Sequence, residues 1–389
     1  MEGDAEERQI QARFVTKLKT PYKVPATAIT IPANLTRLGL STIVSSLLNA
    51  GNPDWENQPF DFLIDGELVR MSLEQFLLAK GISAEKIIEI EYIKAVVPRK
   101  QEEPSLHDDW VSAADGSCPR FILTGCYDGL GRVWKAAGLC THMLEGHSDA
   151  ITSVSIIFSG AEDSFTVATA SKDQTLRLWK FDTEEPENSP ANIRAFKILR
   201  GHNASVQSVA AETSGSMGEA MSTLVGHTQR VSSVVWPEHE TIYSASWDHS
   251  IRRWDVETGK DSAKIFCGKA LNYLHVGGEG SALIAAGASD PILRIWDPRK
   301  PGTSAPIYQF CSHTSWVSAC KWHDKSWFHL LSASYDGKVM LWDLRTAWPL
   351  AVIESHEDKV LCVDWWRGDN LVSGGVDCKL CISSDSSVQ

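Results

Sequence analysis

The stretch SASWDHSIRRWD, residues 244–255, and its near copy SASYDGKVMLWD, residues 332–343, decide how most of this chain folds. In each, residues alternate in character up to an aspartate, a turn follows, and a tryptophan stands six residues beyond that aspartate. Period-two alternation is the signature of a half-buried strand, and polar or glycine-bearing breaks supply the turns between strands. The same step recurs at Asp128 and Trp134, Asp173 and Trp179, and Asp290 and Trp296; a sixth aspartate, Asp377, is followed by Ser383 instead. Gly-His or Ser-His pairs precede most units, and His313 and His356 stand 43 residues apart, a period that fits four short strands.

This punctuation resembles the WD-repeat family of β-propellers over residues 107–389, about three-quarters of the chain. The resemblance implies four-stranded blades stacked around an axis, each burying both faces against its neighbours. It also implies a buried hydrogen-bond chain of His, Ser or Thr, Asp and Trp in each blade, since buried polar groups persist only when paired. Three units supply all four residues: His147, Ser171, Asp173, Trp179; His227, Ser246, Asp248, Trp254; and His313, Ser334, Asp336, Trp342. Their recurrence at blade spacing argues for structure over a hydrolytic triad, which would occur once.

The third unit is short. His202 and His227 are 25 residues apart, and the segment between them, residues 203–225, has no Asp–Trp step. ASVQSVAAE reads as a first strand and AMSTLVGH as a last one, with the middle pair absent. Two readings stand: a six-bladed propeller with a long loop, or a seven-bladed template that has lost an internal segment. The second is preferred, because both remnants keep blade-like alternation and a Gly-His boundary. It predicts unpaired strand edges, an opened ring and lower stability than an intact relative.

Residues 8–97 change period. Ile10, Ala12 and Phe14 alternate, as do Ile29 and Ile31; Leu40, Ile43, Val44, Leu47 and Leu48 then form a helical stripe that closes at Gly51. Phe60, Phe62 and Ile64 lead to the turn Asp65-Gly66; Ser72 and Gln75 cap a short helix; Ile88, Ile90 and Tyr92 form a last strand. That order is ubiquitin-like. Residues 98–106, charged and non-periodic, read as a linker. The fold expected is an α+β ubiquitin-like domain followed by an all-β propeller on a seven-bladed template with its third blade truncated.

Composition narrows function. The 389 residues are 43% hydrophobic and 22% charged, with net charge −12, which disfavours sequence-independent capture of nucleic acid. RNA contact is therefore secondary to protein partners. No apolar run suits a membrane span, the N-terminus does not read as a signal peptide, and the nine cysteines read as reduced thiols. Cys378 and Cys381 stand alone in an expected strand, on opposite faces, and VGGEGSA at residues 276–282 fits no phosphate loop. No catalytic residue and no cofactor of its own is expected.

In the N-terminal unit, FDFLIDGELVRMSLEQFL and GISAEKIIEIEY resemble the Notchless-like domain, and HDDWVSA opens the propeller. Together they resemble a family of WD-repeat ribosome-biogenesis factors that assemble with Pescadillo and a Bop-type WD protein on the large-subunit pre-ribosome. The resemblance implies a nucleolar and nucleoplasmic scaffold for pre-rRNA processing, whose N-terminal domain is gripped by the AAA ATPase Midasin. It assigns Glu85 as the carboxylate that completes an Mg²⁺ site held by that ATPase; read alone, Glu85 is a solvated loop acid. The alternatives are a ubiquitin-pathway adaptor or substrate receptor, for which no ligase-docking element is seen, and a Notchless-type assembly factor, whose eighth blade has no room here.

Overall fold

A computed structural model describes the chain except residues 1–7, 52–57, 84–85, 96–98, 137, 158–163, 183–189, 212–221, 279, 281, 301–304, 346–348 and 386–389. It divides into two compact units: one reaches Val97 and includes Arg345–Leu350, and the other takes Pro98–Leu344 and the residues from Ala351 onward. Among the described residues no helix is long and apolar enough to cross a membrane.

The N-terminal unit comprises β1 (Gln9–Val15), β2 (Ile29–Pro32), α1 (Arg37–Gly51), β3 (Phe60–Ile64), β4 (Glu67–Leu68), α2 (Leu73–Lys80) and β5 (Ile88–Lys94). Its sheet order is β2-β1-β5-β3-β4, with β1 and β5 parallel and the other pairs antiparallel. Ile10, Ala12, Phe14, Phe60, Phe62, Ile88, Ile90 and Tyr92 all point into one core, which Leu40, Val44 and Leu48 of α1 cover. The hairpin turn puts Asp65 at φ 53° and Gly66 at φ 81°, the left-handed pair that a two-residue turn requires. Ser72 accepts from the Gln75 amide to start α2, and Gly81 at φ 66° ends it.

The second unit is a ring of antiparallel blades. Complete blades begin at Val111, Ile151, Val231, Leu271, Val317 and Val360. Successive innermost strands pack side by side, and the last, Val360–Trp366, packs on the first, Val111–Asp115. The final blade takes its outer strands from the stretch expected to be a linker. Here β6 (Arg99–Gln101) and β7 (Ser105–Leu106) pair with Lys379–Asp385. That corrects the reading of residues 98–106. Lys100 and Gln101 of β6 are exposed and Ser105, the buried residue of β7, is polar, so neither strand carries an apolar alternation to betray it. Cys378 is also corrected: it lies in the turn at φ 59°, before the strand that holds Cys381.

The third position differs from expectation too. Residues 204–211 and 222–226 form no regular strand. Val206 nonetheless takes the inner place of a blade. Its amide donates to the Ser171 carbonyl at 3.1 Å and its carbonyl accepts from Thr152 Oγ1 at 2.6 Å. On the other side Ser208 Oγ accepts from the Val234 amide at 3.1 Å. The same hydroxyl-to-carbonyl link joins Ser112 to Ile151, Ser232 to Leu271 and Ser318 to Val360, each at 2.6 Å. The inner circumference is therefore bridged where an opening was expected, and seven inner segments line the central channel. Outward of that bridge the packing is looser. Val231, Val234, Trp236 and Ile242 are only half-buried, whereas their counterparts Ile151, Val154, Ile156 and Val167 are buried against the first blade.

Candidate functional site

The recurrent polar chain is built as follows. In the second blade His147 Nδ1 lies 2.8 Å from Asp173 Oδ2, His147 Nε2 lies 2.7 Å from Thr169 Oγ1, and the Trp179 indole donates to Thr169 Oγ1 at 2.9 Å. His227, Asp248, Ser244 and Trp254 repeat this at 2.8, 2.7 and 2.8 Å. His313, Asp336, Ser332 and Trp342 repeat it at 2.9, 2.7 and 2.8 Å.

The expected histidines, aspartates and tryptophans thus come together, but the linking hydroxyl was misassigned by two residues. Ser171, Ser246 and Ser334 instead donate to the carbonyls of Asp149, Gln229 and Ser315, and accept from the amides of Asp173, Asp248 and Asp336. Residues two apart share a strand face, so alternation alone cannot separate them. Cross-strand register can. Trp179 stands opposite Val167, whose diagonal neighbour on the same face is Thr169 and not Ser171.

An indole only donates, so the hydroxyl must accept from it and can pass its own proton to Nε2. That leaves Nδ1–H to donate to the carboxylate, a one-way chain running through a neutral imidazole. Burial lowers the His147 pKa, which favours that neutral form. Burial would raise the Asp173 pKa, but hydrogen bonds from Thr175 and His147 hold it well below the carboxylate range. Asp248 is held low in the same way by Ser250 and His227, and Asp336 falls to about 2 through His313 and the Thr314 amide. Thr169, Ser244 and Ser332 are buried, with their hydroxyls committed to the chain, so they present no nucleophile to solvent.

Three complete blades depart from this scheme, and in the fifth Asp290 pairs with Arg294 at 2.7 Å. In the first, which the sequence reading did not credit with a chain, His107 Nε2 meets Thr124 Oγ1 at 3.0 Å and Trp134 donates to the same oxygen at 2.9 Å. Asp128 there pairs with Arg132 at 2.7 Å. Burial and then the Arg132 charge push the His107 pKa down to about 4. In the seventh, His356 meets Asp377 at 2.9 Å and Ser373 Oγ at 2.8 Å, with Ser383 in the tryptophan position.

A second set of residues surrounds the mouth of the channel, a cavity of about 360 Å³. In each blade the residue before the inner strand accepts a backbone bond from the residue before the turn aspartate: Trp110 from Tyr127, Arg230 from Trp247, Trp316 from Tyr335. Trp110, Trp247 and Trp316 are 38–44% exposed. Arg230 sits 5.0 Å from the Trp247 ring, Lys172 lies 4.1 Å from Tyr127 and Lys359 lies 5.6 Å from Tyr335. Sequence reading missed this ring, although an aromatic precedes the turn aspartate in three units. Glu85 lies outside the described residues; Lys86 and Ile87 beside it are exposed. Among the described residues no group of three or more His, Cys, Asp or Glu is placed to hold a metal ion.

Comparisons with known proteins address both units. The NLE (NUC135) domain model matches residues 10–77, and the WD domain, G-beta repeat, model matches residues 138–180, 218–255, 304–343 and 347–382. The chain is 63% identical to "Ribosome biogenesis protein WDR12 homolog" of Arabidopsis thaliana, over 99% of this chain and 98% of that protein. It is 59% identical to the protein of the same name from Oryza sativa subsp. japonica, over 97% of both chains. The Chlamydomonas reinhardtii protein of that name is 36% identical over 97% of this chain and 98% of its own. The Arabidopsis alignment spans 426 positions against the 389 residues here, so that relative holds residues without a counterpart in this chain.

Proposed function

We propose a function on one premise: the chain belongs to the WDR12 family of ribosome biogenesis proteins, and so has a role in ribosome biogenesis. It acts as a non-catalytic scaffold in the nucleolus and nucleoplasm, serving large-subunit maturation and pre-rRNA processing. The propeller joins Pescadillo and a Bop-type WD protein on the pre-ribosome, and the N-terminal domain engages Midasin. One observation carries this reading: the likeness runs nearly end to end through both units at 63% identity. That favours it over a ubiquitin-pathway adaptor. The buried hydroxyls of the polar chains support a structural rather than a hydrolytic role.

In this reading Glu85 supplies the carboxylate that enters an Mg²⁺ shell held by the ATPase. A hard cation of that size takes oxygen ligands at short, nearly fixed distances, so reach decides contact. Glu85→Ala and the shorter Glu85→Asp are both expected to abolish Mg²⁺-dependent binding to the adhesion-site domain of Midasin in calorimetry. Unchanged affinity in either variant removes Glu85 from the role. The scaffold reading itself is tested by depletion and rescue. Loss of the protein is expected to accumulate large-subunit rRNA precursors, and normal processing without it overturns the reading.

A further inference from the structure

We propose that a pocket at the outer edge of the second blade binds a phosphate monoester, held by the guanidinium groups of Arg177 and Arg194. Glu145, Gly146, Arg177, Arg194, Ala195 and Ile198 line it, around a volume of about 350 Å³. The Arg177 side chain is only 14% exposed, yet among the described residues its guanidinium makes no hydrogen bond. Its Nε is sealed without an acceptor, and Nη2 stands 3.9 Å from Asp173 Oδ2, beyond hydrogen-bond distance. That aspartate is already engaged by His147 and Thr175. Leaving buried charged donors in this state is costly, and an anion entering the pocket would satisfy them.

The fourth blade supplies the comparison. Arg252 holds the same place there, four residues past Asp248, and lies against Gly226 as Arg177 lies against Gly146. Its side chain is comparably buried, but Nη1 donates to Asp261 Oδ2 and Nη2 donates to the Gly226 carbonyl at 2.8 Å. Register locates what the second blade lacks. Arg252 stands opposite Lys264, three residues after Asp261; Arg177 stands opposite Ile198, three residues after Ala195. A methyl group thus replaces the carboxylate. The neighbouring Arg194 adds a second cation, exposed and with no carboxylate in ion-pair distance among the described residues. Where the fourth blade joins one guanidinium to an internal monoanion, the second lines an open cavity with two. A phosphate monoester suits that exchange. It is close to a dianion at neutral pH with three oxygens free to accept, whereas a carboxylate or a phosphodiester brings one charge and two oxygens. Glu145, the one acid of the lining, is exposed and pairs with neither guanidinium among the described residues.

Phosphoserine titrated into the full chain in phosphate-free buffer is expected to show saturable phosphorus NMR line broadening and to raise the melting temperature. Acetate and dimethyl phosphate, at matched ionic strength, are expected to displace it only at higher concentration. Arg194→Ala, at an exposed position, is expected to weaken phosphoserine about tenfold or more and to leave the melting temperature of the free chain unchanged. Ala195→Asp restores the internal carboxylate and is expected to abolish binding, whereas Glu145→Gln is expected to tighten it. No saturable broadening with the wild-type chain, equal affinity in Arg194→Ala, or binding retained by Ala195→Asp each overturns the proposal. So does acetate or dimethyl phosphate competing as strongly as phosphoserine itself. The inference stands apart from the scaffold reading: an Arg194→Ala chain can lose phosphoserine and still restore rRNA processing.

Discussion

In the second blade His147 sits between Asp173 and Thr169; in the seventh, His356 sits between Asp377 and Ser373 at nearly the same distances. The indole is present as Trp179 and replaced at Ser383, and Arg177, four residues past Asp173, is replaced by Cys381, four past Asp377. Beside Trp179 the Thr169 hydroxyl accepts an N–H and can hand its own proton to His147 Nε2. Where the indole is absent, Ser373 is released to accept from Nε2–H, and both ring nitrogens can carry protons. Burial still pulls the His356 pKa down. Asp377 and the Cys381 thiol outweigh it and bring the value to about 9. At His147, by contrast, burial prevails over Asp173 and the Arg177 charge lowers the pKa further, so the residue four past each aspartate helps to separate the two histidines.

The strongest way to break the comparison is Trp179→Ala, which removes a fully buried ring from the second blade and is expected to cost about 3–5 kcal/mol in chemical denaturation. Next comes the corrected hydroxyl. Thr169→Val leaves both the indole and the imidazole short of a partner and is expected to cost about 1–3 kcal/mol. Ser171→Ala is expected to cost about 1 kcal/mol or less, because it is not the link between those rings. A reversed order would restore the original assignment. Trp179→Phe keeps the bulk and deletes the donor, so the His147 pKa is expected to rise toward that of His356 in an NMR titration; no movement would sink the explanation.

The smallest effect is on pH dependence, and the two exceptional histidines act with opposite sign. The folded pKa of His356, about 9, lies above its ordinary value of 6.5. Its contribution is complete below pH 6.5 and is lost as pH rises through 9. The folded pKa of His107 is about 4, below 6.5, so its neutral form favours folding above pH 6.5, and that advantage is lost as pH falls toward 4. Asp336, at about 2, adds a further loss as pH falls from 3.8 toward 2. Melting temperature across pH is expected to decline on both sides, and His356→Gln is expected to flatten the alkaline side alone.

Much of this was legible where physics is local. The turn Asp and the following Trp fix a hairpin, and alternation located the buried faces of β1, β3 and β5. What was not legible depended on register or on distant parts of the chain. Thr169 and Ser171 are indistinguishable until Trp179 is paired across the hairpin. Arg99–Gln101 looks like a linker until residues 383–385 are laid beside it. Tyr127, Arg230 and Trp316 are single residues far apart in sequence, and only closure of the ring makes them neighbours around one opening. Val206 shows the intermediate case, keeping its inner place by hydrogen bonds of its backbone without a regular strand around it.

The pairing of Arg99–Gln101 with Ser383–Asp385 sets an order for biosynthesis. Its two halves leave the ribosome at opposite ends of propeller translation, so the clasp cannot fasten until the final blade has been made. A stop before Ser383 would then be felt some 280 residues upstream, with an early strand left waiting for a mate that never arrives.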